Sequence, residues 1–123
     1  NREFVERRSS VKGPKAYSRA EAIDHFRSAE AMTNKSLIYL SAGGGNAQFV
    51  ETLQLAGESG AEFNGVLCGR ATWKDGMPIY GKGGVKALED WLAKDGVANI
   101  NAVNEALKPA VPWHDKLSVA HAV

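Results

Sequence analysis

Two short apolar runs set the pattern of the chain. Leu37-Ile38-Tyr39-Leu40 leads into Ser41-Ala42-Gly43-Gly44-Gly45, and Phe63-Asn64-Gly65-Val66-Leu67-Cys68 leads into Gly69-Arg70. Each run stops at glycine and is followed by helix-like sequence, so each is predicted to be a strand that delivers a loop to a helix N-terminus. Between them Phe49, Val50, Leu53 and Ala56 share one side of a helix that starts from an N-cap at Asn46, reaches about Glu58 and stops at Ser59-Gly60. Both strands, from about Ser36 and from about Phe63 to Cys68, are apolar at nearly every residue. That predicts parallel neighbours covered on both faces. A right-handed crossover then brings both glycine loops to one edge of the sheet, at the carboxyl ends of the strands.

The flanks are mostly helical. Ser18-Arg19-Ala20-Glu21 fits a capping box, and Ile23, Phe26 and Met32 mark one side of the helix that follows, which Asn34-Lys35 ends. Residues 1–17 are polar around Gly13-Pro14 and are read as a loop. Past Trp73, Lys74-Asp75-Gly76-Met77-Pro78 is expected to turn, with Gly81, Gly83 and Gly84 keeping the backbone loose. A helix from about Val85 to Lys94 would bury Val85, Leu88, Trp91 and Leu92, and Gly96 would stop it. Ile100, Val103 and Leu107 mark a last short helix broken by Pro109 and Pro112, and residues 109–123 are expected to form an irregular tail. Two strands cannot cover their own edges, and a (β/α)₈ barrel needs about 250 residues, so this pattern would supply the last quarter of one.

Composition narrows the function classes. The 123 residues are 44% hydrophobic and 24% charged, ordinary values for one soluble domain. A net charge of +1 with scattered basic residues provides no footprint for nucleic acid. The longest apolar run falls far short of the roughly 20 residues that span a bilayer, so no membrane partner is expected. Asn1-Arg2-Glu3 is too charged for a signal peptide, and the missing initiator methionine leads to the expectation that the chain starts partway through a longer protein. The single cysteine, Cys68, rules out a disulfide framework and metal-ligand spacing, which favours a reducing, cytoplasmic location.

The chemistry resides in the two loops. Glycine lets the backbone approach a phosphate, the free N–H groups of a helix's first turn point at it, and the helix dipole favours its charge. With a hydroxyl at Ser41 and a guanidinium at Arg70, the pair makes a phosphate cradle. The plainer alternatives are a helix cap for Ser41 and a structural salt bridge for Arg70. Cys68 reads as a small packed residue, and Trp73, Trp91 and Trp113 as packing residues. His25, His114 and His121 are isolated and are given no catalytic role. Gly43-x-Gly45 lacks a third glycine at the dinucleotide spacing, which weakens a nucleotide-binding reading.

At Leu40-Ser41-Ala42-Gly43 and at the block from Phe63 to Trp73, the chain resembles the C-terminal part of the class I tagatose-1,6-bisphosphate aldolases, which are (β/α)₈ barrels. The likeness extends from the first residues to about Trp113, through Glu51-Thr52-Leu53, Trp91-Leu92 and Asn99-Ile100-Asn101. It implies an α/β fold in which residues 1–123 form part of a TIM barrel, its last two parallel strands plus flanking helices. It also implies that Ser41, Ala42 and Gly43 in one loop, and Cys68, Gly69 and Arg70 in the other, hold a substrate phosphate. The family's Schiff-base lysine would lie upstream of Asn1, in a Lys-x-Glu-x-Pro segment; Lys12, Lys15, Lys35, Lys74 and Lys82 do not replace it, so no catalytic residue is expected here. Gly44, Gly45 and Asn46 stand where the family usually has a larger residue and a serine.

The expected function is therefore a fragment of a lyase that cleaves tagatose 1,6-bisphosphate to dihydroxyacetone phosphate and glyceraldehyde 3-phosphate, the chain alone being inactive. The alternatives are a related aldolase for a sulfonated or deoxy ketose phosphate, and a non-catalytic phosphate-binding module. No cofactor and no metal are called for. The expected partners are a phosphorylated ketose and the remainder of the barrel, with room for a homo-oligomer.

Overall fold

The computed structural model describes residues 17–116. The expectations for residues 1–16, including Lys12, Lys15 and Gly13-Pro14, and for the tail beyond Lys116, including His121, lie outside the described residues.

Helix α1 spans Arg19–Ala31 and opens on the expected capping box. Ser18 Oγ accepts from the Glu21 N–H at 3.3 Å, and Glu21 Oε2 accepts from the Ser18 N–H at 2.7 Å. Strand β1 (Ile38–Leu40) follows, then helix α2 (Asn46–Ser59), which ends on Gly60 at φ 74°, a left-handed cap that costs glycine nothing. Strand β2 (Gly65–Leu67) lies parallel to β1 with Ile38 opposite Gly65, Tyr39 opposite Val66 and Leu40 opposite Leu67. Asn64 fixes the start of this pairing. Its N–H donates to the Leu37 carbonyl (2.7 Å), its Oδ1 accepts from the Leu37 N–H (2.8 Å), and its Nδ2 donates to the Val111 carbonyl (2.9 Å).

Helices cover one face of the sheet. α2 lies between α1 and helix α5 (Val97–Ala106). The core joins Phe26, Phe49, Leu53, Ala56, Phe63, Val103 and Ala106, with Tyr39 and Val66 packed onto it from the strands. Tyr39 meets Phe26 and Phe63 edge-on at 5.6 and 5.2 Å. Its hydroxyl is buried with no hydrogen-bond partner among the described residues, and that burial, with the Glu30 charge adding to it, pushes its pKa up. The opposite face was expected to be covered and is open among the described residues: Ile38 is 52%, Leu40 58% and Leu67 66% exposed. The reason is geometric, because successive strand residues point to opposite faces and the helices here occupy only one.

The region after β2 departs most from expectation. The short helix α3 (Arg70–Trp73) and a tight 3₁₀ turn (Lys74–Gly76) run straight into helix α4 (Met77–Trp91), where a turn and loose backbone were expected. Pro78 sits in the first turn of α4, where its missing N–H has no intrahelical partner to lose. Gly84, at φ 70° and ψ −162°, breaks the helix just before Val85, the expected starting residue. Gly76 allows close packing, since a Cβ there would sit 2.7 Å from the Trp91 ring.

Gly96 does not stop the chain; a wider π turn over Leu92–Gly96 carries it into α5. No residue of α4 is buried, and Val85 and Leu92 are exposed rather than internal. Met32 is also exposed, at 87%, because it caps α1 and follows the last turn that faces α2. Trp73 and Trp113 are exposed and Trp91 is half-buried. The segment expected to be irregular after Pro109 is docked, the Val111 N–H donating to the Phe63 carbonyl at 2.8 Å, and ends in a short helix α6 (Trp113–Lys116). No helix of the described residues is long and apolar enough to cross a membrane.

The capping box carries a pH signature. Hydrogen bonds from Ser18, first its backbone N–H and then its hydroxyl, hold the Glu21 carboxyl below its ordinary 4.5. A depressed folded-state pKa contributes stability that is complete above the unfolded value and is lost as pH falls through the folded one. Acid unfolding followed by circular dichroism should lose its slope just below pH 4.5 in Glu21→Gln.

Candidate functional site

The parallel pairing places the ends of β1 and β2 at one edge, and a further bond extends it: the Ser41 N–H donates to the Leu67 carbonyl at 3.2 Å. The chain then turns sharply. The Gly44 N–H donates back to the Ser41 carbonyl at 2.9 Å, and both central residues of this turn, Ala42 at φ 49° and Gly43 at φ 74°, have positive φ. Glycine adopts that conformation freely, whereas Ala42 holds it at about 1–2 kcal/mol. Strain of this kind concentrates at ligand sites.

The turn leads into α2, whose N-cap is Gly45; Asn46, expected to cap, is instead its first residue. Because Gly45 has no side chain, no side-chain cap occupies the N–H groups of the first turn. Asn46 is used for packing. Its Nδ2 donates to the Asn99 carbonyl (3.1 Å), and Asn99 Nδ2 donates to the Thr72 carbonyl (2.9 Å). Thr72 in turn donates through Oγ1 to the Gly69 carbonyl at 2.8 Å. This chain of bonds ties the start of α2, α5 and the second loop together. Asn46 Oδ1 is buried and without a partner among the described residues.

The second loop brings Arg70 across to the first. A Cβ built on Gly43 would lie 3.4 Å from Arg70 Nη2 and 3.5 Å from its Cζ, so the guanidinium lies over the Gly43 α-carbon. Among the described residues neither that guanidinium nor the Ser41 hydroxyl has a hydrogen-bond or ion-pair partner. Ser41 and Gly43 are half-buried, and Ala42, Gly69 and Arg70 are exposed. Cys68 is half-buried against the core, and burial raises its thiol pKa above the ordinary 9.0. It packs against the core as a small residue, and the raised pKa lowers its thiolate fraction near neutral pH. Gly69 precedes α3 at φ −128° and ψ −89°. All six sequence-predicted residues thus fall on two adjoining loops at one edge.

Sequence reasoning missed Lys74. Its half-buried Nζ donates to the Gly43 carbonyl at 3.3 Å, a second cation on the same loop. The signal was available: Arg70 and Lys74 are four residues apart, which places two side chains on one side of a helical turn. No group of acidic, histidine or cysteine residues among the described ones could hold a metal ion. An open groove of about 470 Å³ lined by Gln54, Gly57, Glu105 and Pro109 lies between α2 and α5, away from the loops.

The sequence pattern of the DeoC/LacD family aldolases matches residues 10–75, more than half of the chain. The chain belongs to the DeoC/LacD aldolase family. Both glycine loops fall within the matched span. A protein of Lactococcus lactis named tagatose 1,6-diphosphate aldolase is 52% identical over 106 residues, 85% of this chain and 32% of the relative. Tagatose 1,6-diphosphate aldolase 2 of Streptococcus mutans is 48% identical over 110 residues, 89% of this chain and 33% of that protein. The tagatose 1,6-diphosphate aldolase of Staphylococcus haemolyticus is 44% identical over 117 residues, 94% and 35%. This DeoC/LacD chain therefore spans about a third of the length of the curated relatives it matches.

Two outcomes follow from this geometry. Asn99→Ala removes the donor to the Thr72 carbonyl, and urea denaturation should show a loss of about 1–2 kcal/mol. Iodoacetamide should label Cys68 slowly at pH 8, with the rate still climbing beyond pH 9, because the thiolate fraction keeps growing until the pH passes its raised pKa.

Proposed function

We propose that this chain is the phosphate-gripping part of a phosphosugar aldolase, contributing the last two strands of a (β/α)₈ barrel and the loops at their carboxyl ends. The observation that carries the reading is the Arg70 guanidinium lying over Gly43, with Lys74 on the same loop's carbonyl. A glycine loop, a pair of cations and an uncapped helix start are the components a phosphate dianion needs. Under this reading Arg70 makes a forked contact to two phosphate oxygens, Ser41 donates its hydroxyl, and backbone N–H groups of the glycine loops complete the cradle. Ala42, Gly43, Cys68 and Gly69 serve through their backbones.

The open apolar face of Ile38, Leu40 and Leu67 supports the barrel, since inward-pointing branched and apolar residues of barrel strands pack against those of the other strands. The rest of the barrel is then the chain's structural partner, and the protein works in the cytoplasm. The names of the relatives point to tagatose 1,6-bisphosphate as the ketose, cleaved to dihydroxyacetone phosphate and glyceraldehyde 3-phosphate. The covalent step belongs to a lysine N-terminal to Asn1, whose amine condenses with the substrate ketone so that the neighbouring carbon–carbon bond can break into the resulting iminium. Residues 1–123 alone would be inactive.

A second reading, an aldolase of the same architecture for a sulfonated or deoxy ketose phosphate, rests on Gly44. A Cβ there would sit 3.1 Å from Gln48 Oε1 and 3.2 Å from the Ser41 carbonyl, so this loop is shaped around glycine at that position.

Borohydride reduction of the full-length protein with tagatose 1,6-bisphosphate should leave a substrate adduct on one lysine, and none on Lys35, Lys74 or Lys82. Arg70→Ala should raise KM by about 10–100-fold with a smaller effect on kcat, as loss of a charge-assisted phosphate contact requires. Adduct formation only with other ketose phosphates favours the second reading, and no adduct with any of them ends the aldolase reading.

A further inference from the structure

The Gly43–Gly44 peptide is held from both sides. Its N–H, on Gly44, donates to the Ser41 carbonyl at 2.9 Å, and its C=O, on Gly43, accepts from Lys74 Nζ at 3.3 Å. Among the described residues these are the hydrogen bonds that hold the peptide. Both residues that flank it are glycines, and glycine populates positive and negative φ about equally, so steric exclusion does not prevent the peptide from turning over. Turning it over would exchange the positions of its carbonyl and N–H. The carbonyl oxygen now held by Lys74 would leave that ammonium group and turn to the other side of the loop.

We infer that Lys74 is a positioning residue for the anion loop. Its ammonium group captures the Gly43 carbonyl and keeps a partial negative charge turned away from the place where the phosphate binds. The inference rests on the phosphate-binding reading of Ser41–Gly43 and Arg70, and it adds a residue that touches the loop rather than the ligand. Lys74 is built for this task. It lies one helical turn beyond Arg70, so the two cations bracket Gly43, one over its α-carbon and one on its carbonyl. Its side chain is half-buried, which strengthens a charge-assisted bond relative to one made in open water. The same contact supports Ala42 and Gly43 at positive φ, a conformation that persists only where surrounding bonds over-determine it.

The test uses the full-length protein. Lys74→Met keeps the aliphatic stem and removes the donor. It should raise KM for the ketose phosphate, and the inhibition constant of inorganic phosphate, by about tenfold or more, with kcat within about threefold and borohydride trapping intact at saturating substrate. Lys74→Arg, which retains a donor and a charge, should recover most of the affinity. Unchanged phosphate inhibition in Lys74→Met, or a fall in kcat without a rise in KM, overturns the inference. If Lys74→Met does not fold, phosphate inhibition of Lys74→Gln and Lys74→Arg decides, and equal affinities in the two also overturn it. Arg70→Ala separates this inference from the reading beneath it. Weakened phosphate inhibition in Arg70→Ala with none in Lys74→Met removes only the role of Lys74, whereas none in either removes the phosphate site itself.

Discussion

The hydrogen-bonded register between β1 and β2 is the constraint on which the site depends. Leu40 stands opposite Leu67, the Ser41 N–H extends the ladder by one bond, and so the first residues of both loops leave the sheet at the same height. A one-residue slip of β2 would turn the Cys68 side chain to the opposite face and draw the two loops apart along the strand. Asn64 guards against that slip from the far end, bonding Leu37 through both backbone and side chain while also holding Val111. The structural end of the strands and the chemical end are thus separate, and the first stabilises the geometry of the second.

At the loop end, the attraction for an anion that we propose would be built from several modest contributions. The α2 N-terminus has backbone N–H groups without a side-chain cap, Arg70 is exposed beside them, and Lys74 sits on the loop's carbonyl. Each of these alone is weak in water, and under the proposed function they act together on one anion. The network from Asn46 through Asn99 to Thr72 and Gly69 keeps α2, α5 and the second loop in fixed relation, so the cations need little reorganisation when an anion arrives.

Apolar surface is distributed unevenly. Phe26, Leu53, Phe63 and Val103 make one well-closed core under the helices, while Ile38, Leu40 and Leu67 are open on the other side of the same sheet. α4 carries Met77, Tyr80 and Val85 without burying any of them. Strands that are apolar on both faces, in a sheet covered on one, fit the proposed place of this chain in a barrel wall.

Much of this was legible in local chemistry. The capping box of α1, the left-handed stop at Gly60, the paired strand-to-glycine transitions and the packed character of Cys68 all depend on a few neighbouring residues, and they stand as the sequence implied. The roles of Asn46 and Gly96 could not be found that way. Asn46 is an able helix cap by type, yet Asn99, 53 residues along, draws its amide into packing and leaves the cap to Gly45. Gly96 would end a helix by type, but the π turn and the close approach of Leu92 carry the chain through it. Lys74 is the same case at the site, an unremarkable loop lysine until the fold sets its ammonium group against Gly43. The order of strands and helices, and the two glycine loops at one edge, were determined by the sequence itself, because caps, periodicity and glycine act within one or two turns. Which of those residues meet, and which apolar side chains are covered, only the tertiary structure decided, because both depend on segments brought together from far along the chain.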